Sequence, residues 1–272
     1  MKASASIAVL SILATLAGSV HAASPIQKTT DAPKIAQASQ PLDVSLLVKT
    51  LTSFFQSDRY ETESETELKG KSDGVNFTAN IQTKTIAQSD KKFRSQIAFS
   101  DLGKKTDRKY VVISDGKQVW IYRPDLKQYA VTSYNAFDDS LFIGMSSFVF
   151  MQAGEDMRQA IPKVATDKKA LEELGLISNK NLQGDKSILE GQDFYVYSYT
   201  DKKEGFTFRA FVQPETATLK HFQMAGKSQN IDFEMTEKIL SRTANPVVSK
   251  ETFKFTPPKG AKRVKSISIS PF

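Results

Sequence analysis

Apolar residues recur along this chain at two spacings, and the points where the spacing changes mark the elements. Val44, Leu47, Leu51, Phe54 and Phe55 repeat at helical spacing behind Asp43, a residue suited to accept hydrogen bonds from a first turn, which predicts an amphipathic helix over 43 to 57. From Tyr60 the period falls to two. Tyr60 to Lys69 and Val75 to Ala87 flank Ser72-Asp73-Gly74 and read as a hairpin. Val75, Phe77, Ala79 and Ile81 share one face, with Asn76, Thr78, Asn80 and Gln82 on the other. Phe93, Ile97 and Phe99 repeat the alternation. Tyr110 to Ser114, Gln118 to Arg123 and Gln128 to Ser133 then read as a meander turned at Asp115-Gly116 and at Arg123-Pro124-Asp125-Leu126.

Residues 137 to 180 interrupt the strands. FDDSLFIGMSSFVFMQAG is apolar almost all round and predicts a helix over 137 to 152, with Leu141, Phe142, Met145, Phe148 and Val149 on its strongest face. Pro162 breaks the chain, and a short polar helix is expected from Thr166, ending at Gly175. Strands resume at Leu182 to Leu189, Phe194 to Thr200, Gly205 to Gln213, Ala217 to Ala225, Ile231 to Lys238 and Phe253 to Thr256. Helix, sheet, helices, sheet predicts an α+β fold whose sequential strands pair antiparallel.

The strand at 118 to 123 carries two apolar faces, Val119 with Ile121 and Trp120 with Tyr122. A sheet of this many strands curls, and curled into an incomplete barrel it needs a cap over its concave face. The helices at 43 to 57 and 137 to 152 are the two caps available. They either complete a dry core or meet the sheet incompletely and leave a slot for a long apolar ligand. Gly144, Ser146 and Ser147 among Phe and Met give the second helix a composition that repacks easily.

The N-terminus bears on compartment. Lys2, the apolar run Ile7 to Leu16 and Val20-His21-Ala22 predict a signal peptide cleaved after Ala22, too short to read as a membrane span. Residues 23 to 41 lack apolar period and read as a disordered tether, leaving 42 to 272 as one domain. Chemistry is sparse. The chain has no cysteine, which excludes disulfides and thiolate chemistry. Beyond the leader the only histidine is His221, so no histidine pair can hold zinc. Glycines stand singly at turns. The neighbours Asp138-Asp139, Glu155-Asp156 and Glu172-Glu173 do not face each other on a helix and read as caps or solvated faces. No catalytic residue, metal or cofactor is expected. The net charge of +7 is scattered, densest at Lys259, Lys262, Arg263 and Lys265, and does not point to nucleic acid or to stable membrane insertion.

Two stretches carry a resemblance. SDGKQVWIYRPDLKQYAV, 114 to 131, resembles the Ser-Asp-Gly, Trp-x-Tyr, Pro-turn segment of the LolA family of periplasmic lipoprotein carriers. FKFTPPKGAKRV, 253 to 264, is similar to the closing Phe-x-Phe-x-x-Pro-x-Gly strand and turn of that superfamily. The order of elements agrees over most of residues 42 to 264. The resemblance implies a periplasmic, unclosed β-barrel with a helical lid over a hydrophobic cavity whose cargo is acyl chains of lipids or lipoproteins. Asp115, Gly116, Trp120, Tyr122, Pro124, Phe253, Phe255, Pro258 and Gly260 carry over as scaffold and cavity wall. The expected cavity wall and lid are Trp120, Tyr122, Phe93, Ile97, Phe99, Leu141, Phe142, Met145 and Phe148.

One position departs. Where the family has an Arg-Pro pair whose Arg helps hold the lid shut, this chain has Ser89-Asp90 in SDKKFRSQ, with Arg94 nearby but shifted. The expected function is a non-catalytic carrier or binder of lipid. The alternative is a protein-interaction or sensor module that binds an envelope partner without lipid, and a weaker third is a glycan binder using surface Tyr and Trp.

Overall fold

The computed structural model of the chain describes residues 42–72, 75–100, 108–137, 140–154, 158, 160–161, 169, 181–201, 205–228 and 231–270. The leader, the tether, the tip Asp73-Gly74 and almost all of the helix expected from Thr166 lie outside them. The first helix, α1 (Val44–Phe55), is capped as the sequence predicts, with Asp43 Oδ1 accepting from the Leu46 N–H at 2.9 Å. Its apolar stripe faces the sheet, and Thr50 turns inward only because its hydroxyl donates back to the Leu46 carbonyl at 2.9 Å.

Two meanders make one twelve-stranded sheet. The first is β1 (Arg59–Ser72), β2 (Val75–Gln88), β3 (Lys92–Ser100), β4 (Arg108–Asp115), β5 (Gln118–Arg123) and β6 (Gln128–Ser133). The second is β7 (Leu182–Leu189), β8 (Gln192–Asp201), β9 (Phe206–Gln213), β10 (Thr218–Ser228) and β11 (Ile231–Ala244). They join where β1 pairs antiparallel with β11, from Tyr60 opposite Ala244 to Lys71 opposite Asp232, with a bulge at Glu63/Ser64. A two-residue strand, β12 (Lys262–Arg263), pairs parallel with β6. The outermost strands, β12 and β7, do not pair with each other, so the curved sheet is an unclosed barrel.

The Asp115-Gly116 turn is built as its residues require. Gly116 has φ +94°, and a Cβ there would stand 2.4 Å from the Asp90 carbonyl oxygen. Asp115 Oδ1 accepts from the amides of Lys117 and Gln118, both at 2.8 Å.

Two sequence expectations are corrected. Residues 137 to 152 are not one helix: short 3₁₀ turns at Tyr134–Ala136 and Ser140–Ile143 precede α2 (Met145–Gln152), and Gly144, at φ +97°, separates them. Phe253 to Thr256 is not a strand. Its stretch turns on itself through Thr252 N–H to Ser249 O and Lys254 N–H to Glu251 O, and Pro257-Pro258 then offers no amide donor to a ladder. The closing strand forms beyond the prolines, at Lys262.

Candidate functional site

Strand alternation assigns every side chain to one of two faces, and both helices lie on the inner one. α1 covers the second meander: Leu46, Leu47 and Val48 pack with Tyr195, Tyr197 and Val212. α2 covers the first meander and the seam. Met145, Phe148, Val149, Phe150 and Met151 are buried in one cluster with Phe93, Ile97, Phe99, Phe222 and Met235.

Beneath α2 the sheet is not apolar. The inward positions of β1 and β2 include Thr62, Ser64, Thr66, Thr83 and Thr85, and β3 adds Ser95, all of them buried. These hydroxyls satisfy one another and the turn that leads into α2. Ser64 Oγ and Thr83 Oγ1 are 2.8 Å apart, Thr85 Oγ1 and Ser95 Oγ 2.7 Å apart, and Thr85 Oγ1 lies 2.7 Å from the Ile143 carbonyl oxygen, one residue before Gly144. A buried polar pair costs little when its donors and acceptors are matched, and here they are.

The centre of this seam is Glu237 on β11, whose exposure is 0%. Its carboxyl group accepts from the Ser146 backbone N–H at 2.7 Å and from the Ser146 hydroxyl at 3.0 Å, and it also bonds the Ser64 hydroxyl. The first amides of a helix have no partner within it, and Glu237 supplies one from a distant strand. Gly144 makes room: a Cβ there would lie 2.9 Å from Glu237 Oε1. Burial raises the Glu237 carboxyl above its ordinary value of 4.5, against the lowering effect of its hydrogen bonds and of Arg242.

Arg242, also on β11, ties the C-terminal ends of the two helices together. Its guanidinium lies 3.4 Å from the Tyr60 ring centre, 3.9 Å from that of Phe54 and 5.6 Å from that of Phe150, and Nη2 donates to the Phe54 carbonyl at 2.9 Å. Burial lowers its pKa to about 10 while Tyr60 and Glu237 pull it back up, so it remains a cation at neutral pH. Phe150 completes the junction, stacked on Phe55 at 6.3 Å and edge-on to Tyr60 at 5.0 Å. A cleft of about 340 Å³ lined by Thr50, Phe54, Tyr60, Lys220 and Arg242 leads to this junction.

The residues expected to form cavity wall and lid divide into two groups. Phe93, Ile97, Phe99, Met145 and Phe148 are buried together on the inner face, with Leu141 and Phe142 partly buried against them. Phe99 meets Phe142 edge-on at 5.6 Å. Trp120 and Tyr122 are not brought to this face. Their strand partners are Ile113 and Val111, which alternate with the inward Val112, so both rings point outward. The C-terminal segment covers them there: Phe255 lies 6.4 Å from Trp120, 6.0 Å from Tyr122 and 5.3 Å from Tyr129. The second face of β5 is thus closed by a strap from the chain's end rather than by a helix.

Arg94 also points outward, between Ile86 and Ile113, and Ser89-Asp90 sit in the β2–β3 turn. No cation from this stretch reaches α2. Glu237 and Arg242 were missed in the sequence reading because they fall in IDFEMTEKILSR, where they look like two more charges on an exposed strand. The register shift opposite Glu63/Ser64, which leaves Leu240 of β11 unpaired, is what lets both face inward, and no local signal in β11 announces it. Among the described residues, no group of three or more His, Asp or Glu side chains could hold a metal ion.

No protein-family model matches the chain, and neither does any curated protein. Among solved structures it is similar to an uncharacterised conserved protein from Thermus thermophilus, at 10% identity over 81% of this chain and 98% of that one, TM-score 0.39. It is similar to LprF from Mycobacterium bovis at 8% identity over 82% and 100%, TM-score 0.39. A LolA superfamily protein from Nitrosomonas europaea is similar at 10% identity over 77% and 96%, TM-score 0.31.

Proposed function

We propose that this chain is an exported, periplasmic, non-catalytic binder of acyl chains, carried by free lipids or by lipoproteins, and that the ligand takes its place on the inner face by lifting α2. The observation that supports this is α2 itself. It is a helix of eight residues with Met145 to Met151 all buried, outside the sheet ladder and bounded by turns. Apart from the Ser146 N–H on Glu237, its attachment is through its side chains. An acyl chain presents the same kind of surface as its Phe and Met side chains, and each buried methylene contributes ~0.8 kcal/mol, so one chain can compensate for most of the contacts that α2 gives up.

Native mass spectrometry of the chain from residue 23, purified without detergent and then solvent-extracted, tests the reading together with titration of a fluorescent fatty acid. Trp120 does not serve as reporter, because its ring lies under Phe255 on the outer face. Met145→Asp and Phe148→Asp weaken the seating of α2 and are expected to change acyl-chain affinity, with the sheet still folded by circular dichroism. Binding equal to wild type in both variants would overturn the assignment of α2 as the gate.

A second reading has one observation in its favour. Leu240 is 52% exposed beside an outer trough of about 470 Å³ whose lining includes Glu63, Glu65, Lys84 and Lys109. An envelope partner seated there would bind with an affinity that survives delipidation and falls on Leu240→Asp.

A further inference from the structure

Glu237 is a buried acid whose direct partners among the described residues are all neutral. From β1 it meets the hydroxyl of Ser64, from α2 the N–H and hydroxyl of Ser146, and across the ladder on β10 it stands opposite Phe222. On β2, Thr83 turns its own hydroxyl to Ser64. The charged group that bears on it is Arg242, on its own strand, and that guanidinium is already engaged by Tyr60, by the rings of Phe54 and Phe150 and by the Phe54 carbonyl. From α1 only those Phe54 groups approach, through Arg242.

Neutral and ionised forms of such a group differ sharply in what they do to α2. The neutral carboxyl accepts from the Ser146 N–H while its own O–H can donate to a seam hydroxyl, so every polar atom has a partner. The carboxylate keeps the accepted bonds and gains from the positive end of the helix, yet leaves a charge out of water with no direct ion-pair partner among the described residues, Arg242 acting on it only from further along β11. Lifting α2 uncovers Glu237 and lets water solvate the charge.

We infer that Glu237 is a proton-operated latch on α2, closed when the carboxyl is neutral and loosened when its proton has left to solvent. This deepens the carrier reading, since it gives the gate a trigger, and it rests on α2 being that gate.

The direction follows from linkage. The closed state holds the Glu237 proton more tightly than the open state, where the carboxyl returns to its ordinary value of 4.5. Closure is therefore firmest below that value. It weakens as pH rises from 4.5 through the raised value of the closed state, by up to about tenfold in the open-to-closed ratio per pH unit, and then levels off.

Hydrogen exchange of the α2 amides in the ligand-free chain, corrected for intrinsic rate and referenced to α1 and β2–β4, tests the latch without any lipid. In wild type, α2 protection is expected to fall with rising pH while the reference amides do not follow. Glu237→Gln keeps the shape and the neutral hydrogen bonds, so its α2 protection is expected to be high and flat with pH. The same slope in Glu237→Gln, a flat wild type, or a slope shared by the reference amides would overturn the latch.

An NBD-labelled monoacylglycerol, which does not itself titrate, separates this from the carrier reading. Tighter binding to wild type at neutral than at acid pH, and pH-independent weak binding to Glu237→Gln, support both. No binding at any pH with the Glu237-dependent exchange slope intact sinks the carrier reading and leaves the latch. Binding unaffected by pH and by Glu237→Gln sinks the latch and leaves the carrier.

Discussion

α1 and α2 rest on the same face of one sheet and are held there by opposite means. α1 lays Leu46, Leu47 and Val48 on Tyr195, Tyr197 and Val212; at its end the Phe54 and Ser53 carbonyls accept from Arg242 and from the Tyr60 hydroxyl, and its other polar ties to the sheet lie at its start. There Asp43 N–H donates to the Tyr195 hydroxyl at 2.8 Å and the Tyr197 hydroxyl donates to the Asp43 carbonyl at 2.7 Å. α2 is apolar on every side, yet its first turn is pinned to buried hydroxyls and a buried acid. Apolar contact is tolerant of small shifts, whereas a hydrogen-bonded seam is either matched or costly. The first helix is therefore fastened continuously and the second at discrete points, which is the arrangement expected if only one of them is to leave.

The contrast can be broken at the junction the helices share. Phe150→Ala removes a ring that is 1% exposed and touches Phe55 and Tyr60, and is expected to cost ~3–5 kcal/mol in urea denaturation. A loss below ~1 kcal/mol would mean that the aromatic junction does not couple α2 to the rest. Ser146→Ala deletes one of the two Ser146 donors to Glu237 and should cost ~1–2 kcal/mol, with faster exchange confined to α2. Asp43→Ala is its counterpart on the other helix, expected to cost ~1 kcal/mol and to fray α1 alone. If either of these two loosens both helices equally, they are one fastening and the contrast fails. The smallest effect is that of Phe255→Ala on the opposite face, which should shift Trp120 emission to the red and leave the exchange of both helices unchanged.

The same contrast explains what could be read from the sequence. α1 was legible because an N-cap and a 3.6-residue apolar period are local signals, and they returned its boundaries almost to the residue. The strands of both meanders were legible by alternation. The seam was not: in ETESETEL both faces of β1 are polar, and nothing local says that Thr62, Ser64 and Thr66 are the buried side and Glu61, Glu63 and Glu65 the wet one. That is decided by β11, which is far away in sequence. Met145 and Phe148 were legible as buried helix residues over the sheet because they are apolar, whereas the acid that anchors their helix was overlooked because a buried charge looks like an exposed one in sequence. Trp120 and Tyr122 were assigned to the wrong face for a related reason, since the residue that covers them, Phe255, sits just before Pro257-Pro258 in a stretch that reads as strand.

The pairing of β1 with β11 also dictates an order of events in folding. Each meander is built from neighbours in sequence and can form early from short-range contacts, but the seam between them matches Tyr60 with Ala244 and must wait for almost the whole chain. Glu237 lies on the late strand, so the site for α2 does not exist until that closure. Until then the eight residues of α2 have no acceptor for their first amides and no cover for their apolar sides. Closure of β1 on β11 and the seating of α2 are thus one step, and substitutions in β11 that slow refolding should delay α2 protection by the same factor.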